Sequence, residues 1–213
     1  MIQKLSVKQV LSILSATPEQ ALFDWKRDLN LDDGEKKSEL IKDIAAIANA
    51  TVTGPGFVFY GVDPRLPEPV VGMSKGYDDA TLQQIVEGKI EPRVDFLYYD
   101  DLHRNGKRIG VLHVPPSVAR PHIIARDVGK LREGQVLIRR GSSTRGVTPN
   151  ELMAMYYCQT NPQFIHLVKW IEQQLRAQVK GRSQTQDHLD HMNFLIRQME
   201  VTSGLPPGRL GSR

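Results

Sequence analysis

The 213-residue sequence contains a single cysteine, Cys158, and no long run of apolar residues. One cysteine excludes an intrachain disulfide and a cysteine-based zinc cluster. The apolar runs fall well short of the roughly 20 residues that a membrane-spanning helix requires. Polar side chains interrupt the apolar stretch near the N-terminus, which does not fit a signal peptide. We therefore expect a cytoplasmic protein with no membrane partner.

Positive charge is concentrated in one part of the chain. Residues 1–103 hold 11 basic and 17 acidic side chains, whereas residues 104–145 hold ten basic and two acidic ones. The formal net charge of +4 conceals this difference. Such a basic segment favours a polyanionic partner such as a nucleic acid, although basic strand faces also occur in proteins that bind none.

The first half of the chain alternates between helical and extended patterns. Apolar spacing predicts helices over residues 6–14 and 35–50. Residues 22–28 alternate between aromatic and charged side chains, which predicts a strand with an aromatic inner face and a charged outer face. The continuous apolar run at residues 57–62 is typical of a buried central strand.

The second half adds a hairpin and further helices. Residues 78–89 predict a helix capped by Asp78 or Asp79. Asn-Gly at residues 105–106 lies between two apolar runs and predicts a β-hairpin. A further strand is predicted at residues 136–139, and Thr148 with Glu151 forms the pattern of a helix capping box. The pattern over residues 1–157 predicts one α+β domain with a mixed or antiparallel sheet and flanking helices.

The pattern changes after Pro162. Apolar residues with heptad-like spacing are followed by a polar break and a second helical stretch, which together predict a helical hairpin over residues 162–200. We expect this segment to form a homo-oligomer, and the alternative is a helix that packs back on the domain. Residues 201–213 are predicted to be a disordered tail.

Acidic side chains flank two of the predicted strands. Glu19, Asp24 and Lys26 surround the first strand, and Asp63 follows the buried strand. If these strands are neighbours, the three carboxylates could converge at one end of the sheet and bind Mg²⁺ or Mn²⁺. Lys26 could then stabilise developing charge. The alternative is that these are solvated charges at the edge of a strand.

A basic loop follows the last predicted strand. Arg139 and Arg140 lead into a glycine turn with hydroxyl groups, including those of Ser142 and Ser143, and Arg145 follows. Guanidinium groups, hydroxyls and backbone N–H groups can all bind phosphate. The alternative is a basic turn whose hydroxyl side chains cap the next helix. Because the loop lies in the basic segment, we favour phosphate binding.

Several short motifs, taken in order, resemble one known family. They are Leu22-Phe23-Asp24-Trp25-Lys26, Lys42 to Asn49, Gly56 to Asp63, Ile90-Glu91-Pro92, Val114 to Ser117 with Arg120-Pro121-His122, and Ile138 to Thr144. This pattern over residues 14–157 resembles the Schlafen-type AlbA domain. The resemblance implies an α+β fold related to AlbA nucleic-acid-binding modules.

The resemblance also implies a candidate activity. In Schlafen nucleases an acidic triad with divalent metal cleaves structured RNA, chiefly transfer RNA, and the matching positions here are Glu19, Asp24 and Asp63. One departure is Asp24-Trp25-Lys26, where the family pattern usually has Glu before Phe-Lys. A second departure is the segment after Asn49, which lacks the Gly-Gly that is usual in the family pattern. The chain also has one such module, whereas the eukaryotic nucleases pair two.

Two functions follow as hypotheses. The first is a homo-oligomeric, Mg²⁺- or Mn²⁺-dependent endoribonuclease acting on structured RNA such as transfer RNA. The second is a non-catalytic DNA-binding transcriptional regulator, in which the same carboxylates are structural. In either case the expected phosphate-binding residues are Arg108, Arg120, Arg126, Lys130, Arg132, Arg139, Arg140, Ser142, Ser143 and Arg145.

Overall fold

The computed structural model describes residues 4–16, 22–50 and 54–160. The chain divides into two units, Met1–Gln159 and Thr160–Arg213, and the fold described below is that of the first. The predictions for the segments 162–200 and 201–213 lie outside the described residues. The same is true of Glu19.

Four helices and eight strands make up the described part of the chain. The helices are α1 (Val7–Ala16), α2 (Gly34–Ala50), α3 (Asp79–Val86) and α4 (Pro149–Thr160). The strands are β1 (Phe23–Lys26), β2 (Gly56–Tyr60), β3 (Ile90–Glu91), β4 (Leu97–Arg104), β5 (Lys107–Val114), β6 (Ile123–Ile124), β7 (Leu137–Arg140) and β8 (Ser143–Gly146). This content confirms the predicted α+β fold class. None of the helices in these ranges has the length and apolar character that a membrane span requires.

The main sheet has the strand order β1-β2-β5-β4. β1 pairs with β2 in parallel, and the other two pairings are antiparallel. β4 and β5 are joined by a turn in which Asn105 and Gly106 both have positive φ, at 51° and 73°. These angles suit a two-residue hairpin turn and confirm the Asn-Gly prediction.

Both faces of the sheet are covered, and β2 lies at the centre. Val58 and Tyr60 belong to a core cluster with the apolar residues of α2, whereas Phe57 and Phe59 belong to a second cluster with Val10 of α1. Because both parities of β2 are buried, the strand is a continuous apolar run and does not alternate with polar residues. This confirms the prediction of a buried central strand.

A glycine allows α2 to lie close to the start of β2. A Cβ atom at Gly56 would lie 2.1 Å from Cγ2 of Ile47, which is far inside van der Waals contact. The close packing buries nearly the whole inner surface of α2. It also places the C-terminal half of this helix beside β7.

The charged face of β1 does not point into solvent as predicted. Phe23 and Trp25 stack against Phe57 and Phe59 on one face of the sheet, as their spacing predicted. On the opposite face Asp24 is only 5% exposed. The prediction of a solvated outer face is therefore wrong for Asp24, because other elements cover this face and supply cationic partners.

The predicted loop after β7 is a β-hairpin. β8 pairs antiparallel with β7, from Leu137 opposite Gly146 to Arg140 opposite Ser143. Gly141 has a φ of 56° and forms the turn, a conformation that glycine adopts without a steric penalty. The sequence of β8 has little apolar character, so periodicity gave no signal for it.

A buried amide holds the start of this hairpin. Nδ2 of Asn49, on α2, donates hydrogen bonds to the carbonyl oxygens of Leu137 and His122, each over 2.9 Å. Its Oδ1 accepts the backbone N–H of His122 over 2.8 Å. Because Asn49 is fully buried, these bonds fix the position of β7 relative to α2.

Candidate nucleic-acid interface

An ion pair joins the β7–β8 hairpin to the edge strand of the main sheet. Nη2 of Arg139 lies 3.0 Å from Oδ1 of Asp24, and both side chains are almost completely buried. The same carboxylate oxygen accepts the backbone N–H of Trp25 over 3.0 Å. Asp24 is therefore engaged by protein donors on this side.

Lys26 lies between two carboxylates. Its Nζ is 3.4 Å from Oδ2 of Asp24 and 3.0 Å from Oδ2 of Asp43, which α2 contributes. Burial lowers the pKa of Lys26, but the neighbouring charges of Asp43 and Asp24 outweigh it, and the pKa is raised above its usual value. Burial also raises the pKa of Asp43, against the opposing effect of Lys26. Asp24, Asp43, Lys26 and Arg139 thus form one compact cluster of alternating charge.

Asp63 lies in a different environment, just beyond the end of β2. Nε and Nη2 of Arg65 donate to its two carboxylate oxygens over 2.8 and 2.9 Å, a bidentate arrangement. Nε of Arg27 lies 3.6 Å from Oδ2 of Asp63. The hydrogen bonds from Arg65 lower the pKa of Asp63 to about 2.

The structure places Asp24 and Asp63 in different surroundings. Asp24 lies within β1 opposite Val58, whereas Asp63 follows the end of β2 at Tyr60. Asp24 contacts Arg139 and Lys26, and Asp63 contacts Arg65 and Arg27.

Glu19, the third acid of the predicted metal site, lies outside the described residues. Within the ranges 4–16, 22–50 and 54–160, no three His, Cys, Asp or Glu side chains form a group that could hold a metal. The carboxylates of Asp24 and Asp63 are each paired with arginine.

Several side chains of the basic segment pair with acidic side chains, both outside that segment and within it. Arg108 lies 3.1 Å from Asp100, and Lys130 contacts Glu35. Arg132 lies 3.8 Å from Asp127. The net positive charge at the surface of the basic segment is therefore smaller than the count of its basic and acidic residues predicts. Exposed pairs of this kind contribute little to stability and can exchange partners.

Two of the predicted phosphate-binding arginines are buried. Arg139 pairs with Asp24 as described above, and Nη1 of Arg120 donates to the carbonyl oxygen of Asn49 over 3.0 Å. Both guanidinium groups have protein acceptors and less than a tenth of their surface is exposed. In this structure they hold segments of the domain together and do not present their donors at the surface.

The exposed side of the β7–β8 hairpin retains the features of a phosphate site. Ser142, Ser143 and Arg145 are exposed around the Gly141 turn. Arg140 is partly exposed and pairs with Glu151 of α4. Within the described residues Arg145 is in no ion pair. The hairpin therefore combines the guanidinium of Arg145 with the hydroxyls of Ser142 and Ser143 beside a tight turn. The Ser143 hydroxyl donates to the carbonyl oxygen of Arg140 over 3.2 Å.

Glu151 has two partners. Its Oε2 accepts the backbone N–H and the hydroxyl of Thr148 over 2.7 and 2.8 Å, which confirms the predicted capping box. Its other oxygen pairs with Arg140. The start of α4 and the tip of the hairpin are thus connected by one carboxylate.

A cleft at the end of α3 has mixed charge. It has a volume of about 890 Å³ and lies between the end of α3 and strands β3 and β6. Arg126 and Arg93 line it together with Glu87, Glu91 and Glu133. Three carboxylates in the lining disfavour a polyanion, so the hairpin is the better candidate for phosphate binding.

A comparison with protein families agrees with the motifs. The profile described as Schlafen, AlbA_2 matches residues 19–148, which is more than half of the chain. The chain belongs to the Schlafen AlbA_2 family. Family membership indicates a role in nucleic-acid binding. A search of curated proteins found no match.

Several residues that contact the site in this Schlafen AlbA_2 domain were not predicted from the sequence. Asp43 lies within the apolar stripe of α2, Arg65 follows Asp63 by two positions, and Asn49 ends the helical pattern. An acidic residue on the buried face of an amphipathic helix is the signal that could have identified Asp43, because a buried carboxylate requires a partner.

Proposed function

We propose that this domain binds nucleic acid through the exposed edge of the β7–β8 hairpin. The single observation that carries the proposal is the arrangement of Arg145, Ser142 and Ser143 around the Gly141 turn, with Arg139 directed inward. An exposed guanidinium can form a bidentate pair with a phosphate, and hydroxyls can donate to the remaining oxygens. Family membership supports the same class of partner.

Arg140 would contribute to the same surface. It is partly exposed, and its partner Glu151 lies on the surface of α4. A phosphodiester has the same single negative charge as the Glu151 carboxylate and also forms bidentate pairs with a guanidinium, so it can replace Glu151 as the partner of Arg140. Binding at this position would therefore exchange one acceptor for another and would not require desolvation of a buried group.

Cleavage of nucleic acid is a second and more specific hypothesis than binding. The resemblance implies a Mg²⁺- or Mn²⁺-dependent endoribonuclease acting on structured RNA such as transfer RNA, and DNA binding by a regulator is the alternative. Asp24 and Asp63 are each paired with arginine, whereas the β7–β8 hairpin has an exposed guanidinium, and this contrast supports binding more directly than cleavage. We therefore assign binding as the leading function and treat cleavage as an outcome to be tested.

One experiment distinguishes these functions. The whole 213-residue chain is incubated with labelled transfer RNA and with a duplex DNA of similar charge, each in Mn²⁺ and in chelator. We expect retention of nucleic acid in chelator without cleavage, because the proposed contacts are made by side chains alone. Cleavage that requires Mn²⁺ and is lost in Asp63→Ala would support the endonuclease. No binding of either nucleic acid would overturn the proposed function.

A further inference from the structure

Two exposed arginines share one buried carboxylate just beyond the ends of β1 and β2. Nε and Nη2 of Arg65 donate to the two oxygens of Asp63 over 2.8 and 2.9 Å, and Nε of Arg27 lies 3.6 Å from Oδ2. The side chain of Asp63 is only 5% exposed, whereas those of Arg27 and Arg65 are 66% and 81% exposed. The carboxylate is thus covered, while both arginine side chains remain accessible from solvent.

The parallel pairing of β1 with β2 brings these residues together. Lys26 lies opposite Tyr60, so both strands end at the same edge of the sheet. Beyond this pair, the backbone N–H of Val62 donates to the carbonyl oxygen of Lys26 over 3.1 Å. Arg27 and Asp63 are the next residues of the two segments. Ligands commonly bind at the carboxyl ends of neighbouring parallel strands.

Local hydrogen bonds hold Arg65 in place before any ligand binds. The backbone N–H of Asp63 donates to the carbonyl oxygen of Pro69 over 2.8 Å, and that of Leu66 donates to the carbonyl oxygen of Asp63 over 3.2 Å. The backbone N–H of Arg65 donates to Oδ1 of Asp63 over 3.1 Å. Because the backbone and the side chain of Arg65 both contact this carboxylate, less conformational freedom is lost when the guanidinium binds a ligand.

The two cations share a single anion. Within the described ranges of the chain, Asp63 is the only acidic residue in an ion pair with Arg27 or Arg65. The exposed pair of Arg132 with Asp127, by contrast, joins one base to one acid. The two guanidinium groups therefore carry one positive charge in excess, and a second anion between them would reduce their mutual repulsion.

Both guanidinium groups also retain hydrogen-bond donors for a ligand. A guanidinium has five N–H donors in a planar fork. Arg65 uses Nε and Nη2 on Asp63, and Arg27 approaches the same carboxylate through Nε. Among the contacts of the described residues, this leaves Nη1 of Arg65 and the two terminal nitrogens of Arg27 for another acceptor. Phosphate oxygens accept such donors in bidentate pairs.

We propose that Arg27 and Arg65 form a second phosphate-binding site, built from residues outside the β7–β8 hairpin. The charge count gave no signal for it, because both residues lie in the segment 1–103, which is acidic overall. The ligand is a phosphate group of the nucleic acid that the hairpin binds, and free phosphate is the other source of the same chemistry. Only the first source rests on the proposed function.

The first measurement is binding of labelled transfer RNA by the whole 213-residue chain, in chelator and over a range of salt concentrations. Arg27→Ala is the cleaner variant, because it leaves the bidentate contact of Arg65 with Asp63 intact. Arg65→Ala is the second variant. Arg93→Ala is the matched control, since Arg93 is also exposed but lines the cleft of mixed charge at the end of α3. Circular dichroism establishes that each variant is folded.

Arg27→Ala and Arg65→Ala should each weaken binding about fivefold at low salt and reduce the slope of log affinity against log salt by about one, because each removes one phosphate contact. Arg93→Ala should leave the slope unchanged.

The second measurement uses inorganic phosphate and no nucleic acid. The side-chain Nε–H signals of the arginines are followed by NMR while phosphate replaces chloride at constant ionic strength. Each signal is assigned by its loss in the corresponding alanine variant. We expect saturable shifts of the Arg27 and Arg65 signals and no saturable shift of the Arg93 signal.

The two measurements together separate the possible outcomes. A lower salt slope in both Arg27→Ala and Arg65→Ala supports the site with nucleic acid as the source of the phosphate. Saturable shifts with an unchanged slope support the site and assign it to free phosphate. Saturable shifts in a protein whose wild type binds no nucleic acid support the site and overturn the proposed function alone. An unchanged slope together with unshifted signals would overturn the proposal.

Discussion

Arg139 donates from Nη2 to Oδ1 of Asp24 over 3.0 Å, and each residue has only 5% of its surface exposed. The two residues are 115 positions apart in the sequence, so this contact forms only when β7 lies beside β1. Removing one partner of a buried, hydrogen-bonded ion pair destabilises the folded state.

We predict that the Asp24–Arg139 contact contributes to the stability of the domain. Asp24→Asn should lower the free energy of unfolding by about 3 kcal/mol, because Arg139 stays charged beside Lys26. The double variant with Arg139→Gln should lose less than the sum of the two single variants, and urea unfolding measures both quantities. Additive losses would contradict a direct interaction.

A second prediction concerns acid stability at Asp63. Hydrogen bonds from Arg65 lower its pKa from the usual 3.8 to about 2. A carboxyl with a depressed pKa in the folded state stabilises the protein above its unfolded pKa, and this contribution is lost as the pH falls through the folded pKa. Wild type should therefore lose stability between about pH 4 and pH 2.

Asp63→Asn should lose less stability than wild type between about pH 4 and pH 2, since it has no carboxyl to protonate at this position. Arg65→Gln should resemble it, because loss of the bidentate partner allows the pKa of Asp63 to return towards its usual value. Thermal unfolding at a series of pH values measures the difference. Parallel curves for the three proteins would show that Asp63 is not the group responsible.

His122 provides a third prediction, near neutral pH. Its Nδ1–H donates to the carbonyl oxygen of Pro92 over 2.7 Å, so in the neutral ring Nε2 accepts from the hydroxyl of Ser117 over 2.7 Å. Burial lowers the pKa of His122, and the positive charge of Arg120 lowers it further, against an opposing hydrogen bond to Pro92.

Because the folded pKa is lowered, this histidine stabilises the fold above its unfolded pKa of about 6.5, and the contribution is lost as the pH falls through the folded value. NMR titration of the ring should give a pKa below 6.5, the usual value. A pKa at or above that value would mean that the ring is not held in its neutral form by this network.

The sequence predicted those parts of the fold that depend on local patterns. The apolar run of β2, the Asn105-Gly106 turn and the capping box of Thr148 and Glu151 are each specified by adjacent residues. The structure confirms all three. Their physical causes, which are burial on two faces, positive φ and reciprocal capping bonds, act within a few positions of the chain.

The parts that could not be predicted depend on distant partners. The alternation in β1 correctly separated its two faces, but the burial of Asp24 results from α2 and β7, which lie far along the chain. β8 forms by backbone pairing with β7, and its side chains give no periodic signal.

The charge of the basic segment illustrates the same limit. Its excess of ten basic over two acidic residues is a correct count. The pairing of Arg108 with Asp100, Lys130 with Glu35 and Arg140 with Glu151 could not be read from that count. Charge in a sequence therefore predicts the class of partner more reliably than the residues that contact it.

Contact between the β7–β8 hairpin and phosphate can be measured at Arg145, because this residue is exposed on β8. Arg104→Ala is the matched control, since it removes the same charge from the end of β4, an edge strand of the main sheet, to which β8 does not belong. Affinity for labelled transfer RNA is measured by fluorescence anisotropy in chelator over a range of salt concentrations.

We predict that Arg145→Ala weakens binding about fivefold at low salt and reduces the slope of log affinity against log salt by about one, as the loss of one phosphate contact requires. Arg104→Ala should leave the slope unchanged. A salt slope for Arg145→Ala equal to that of wild type would mean that Arg145 contacts no phosphate and that the hairpin is not the binding surface.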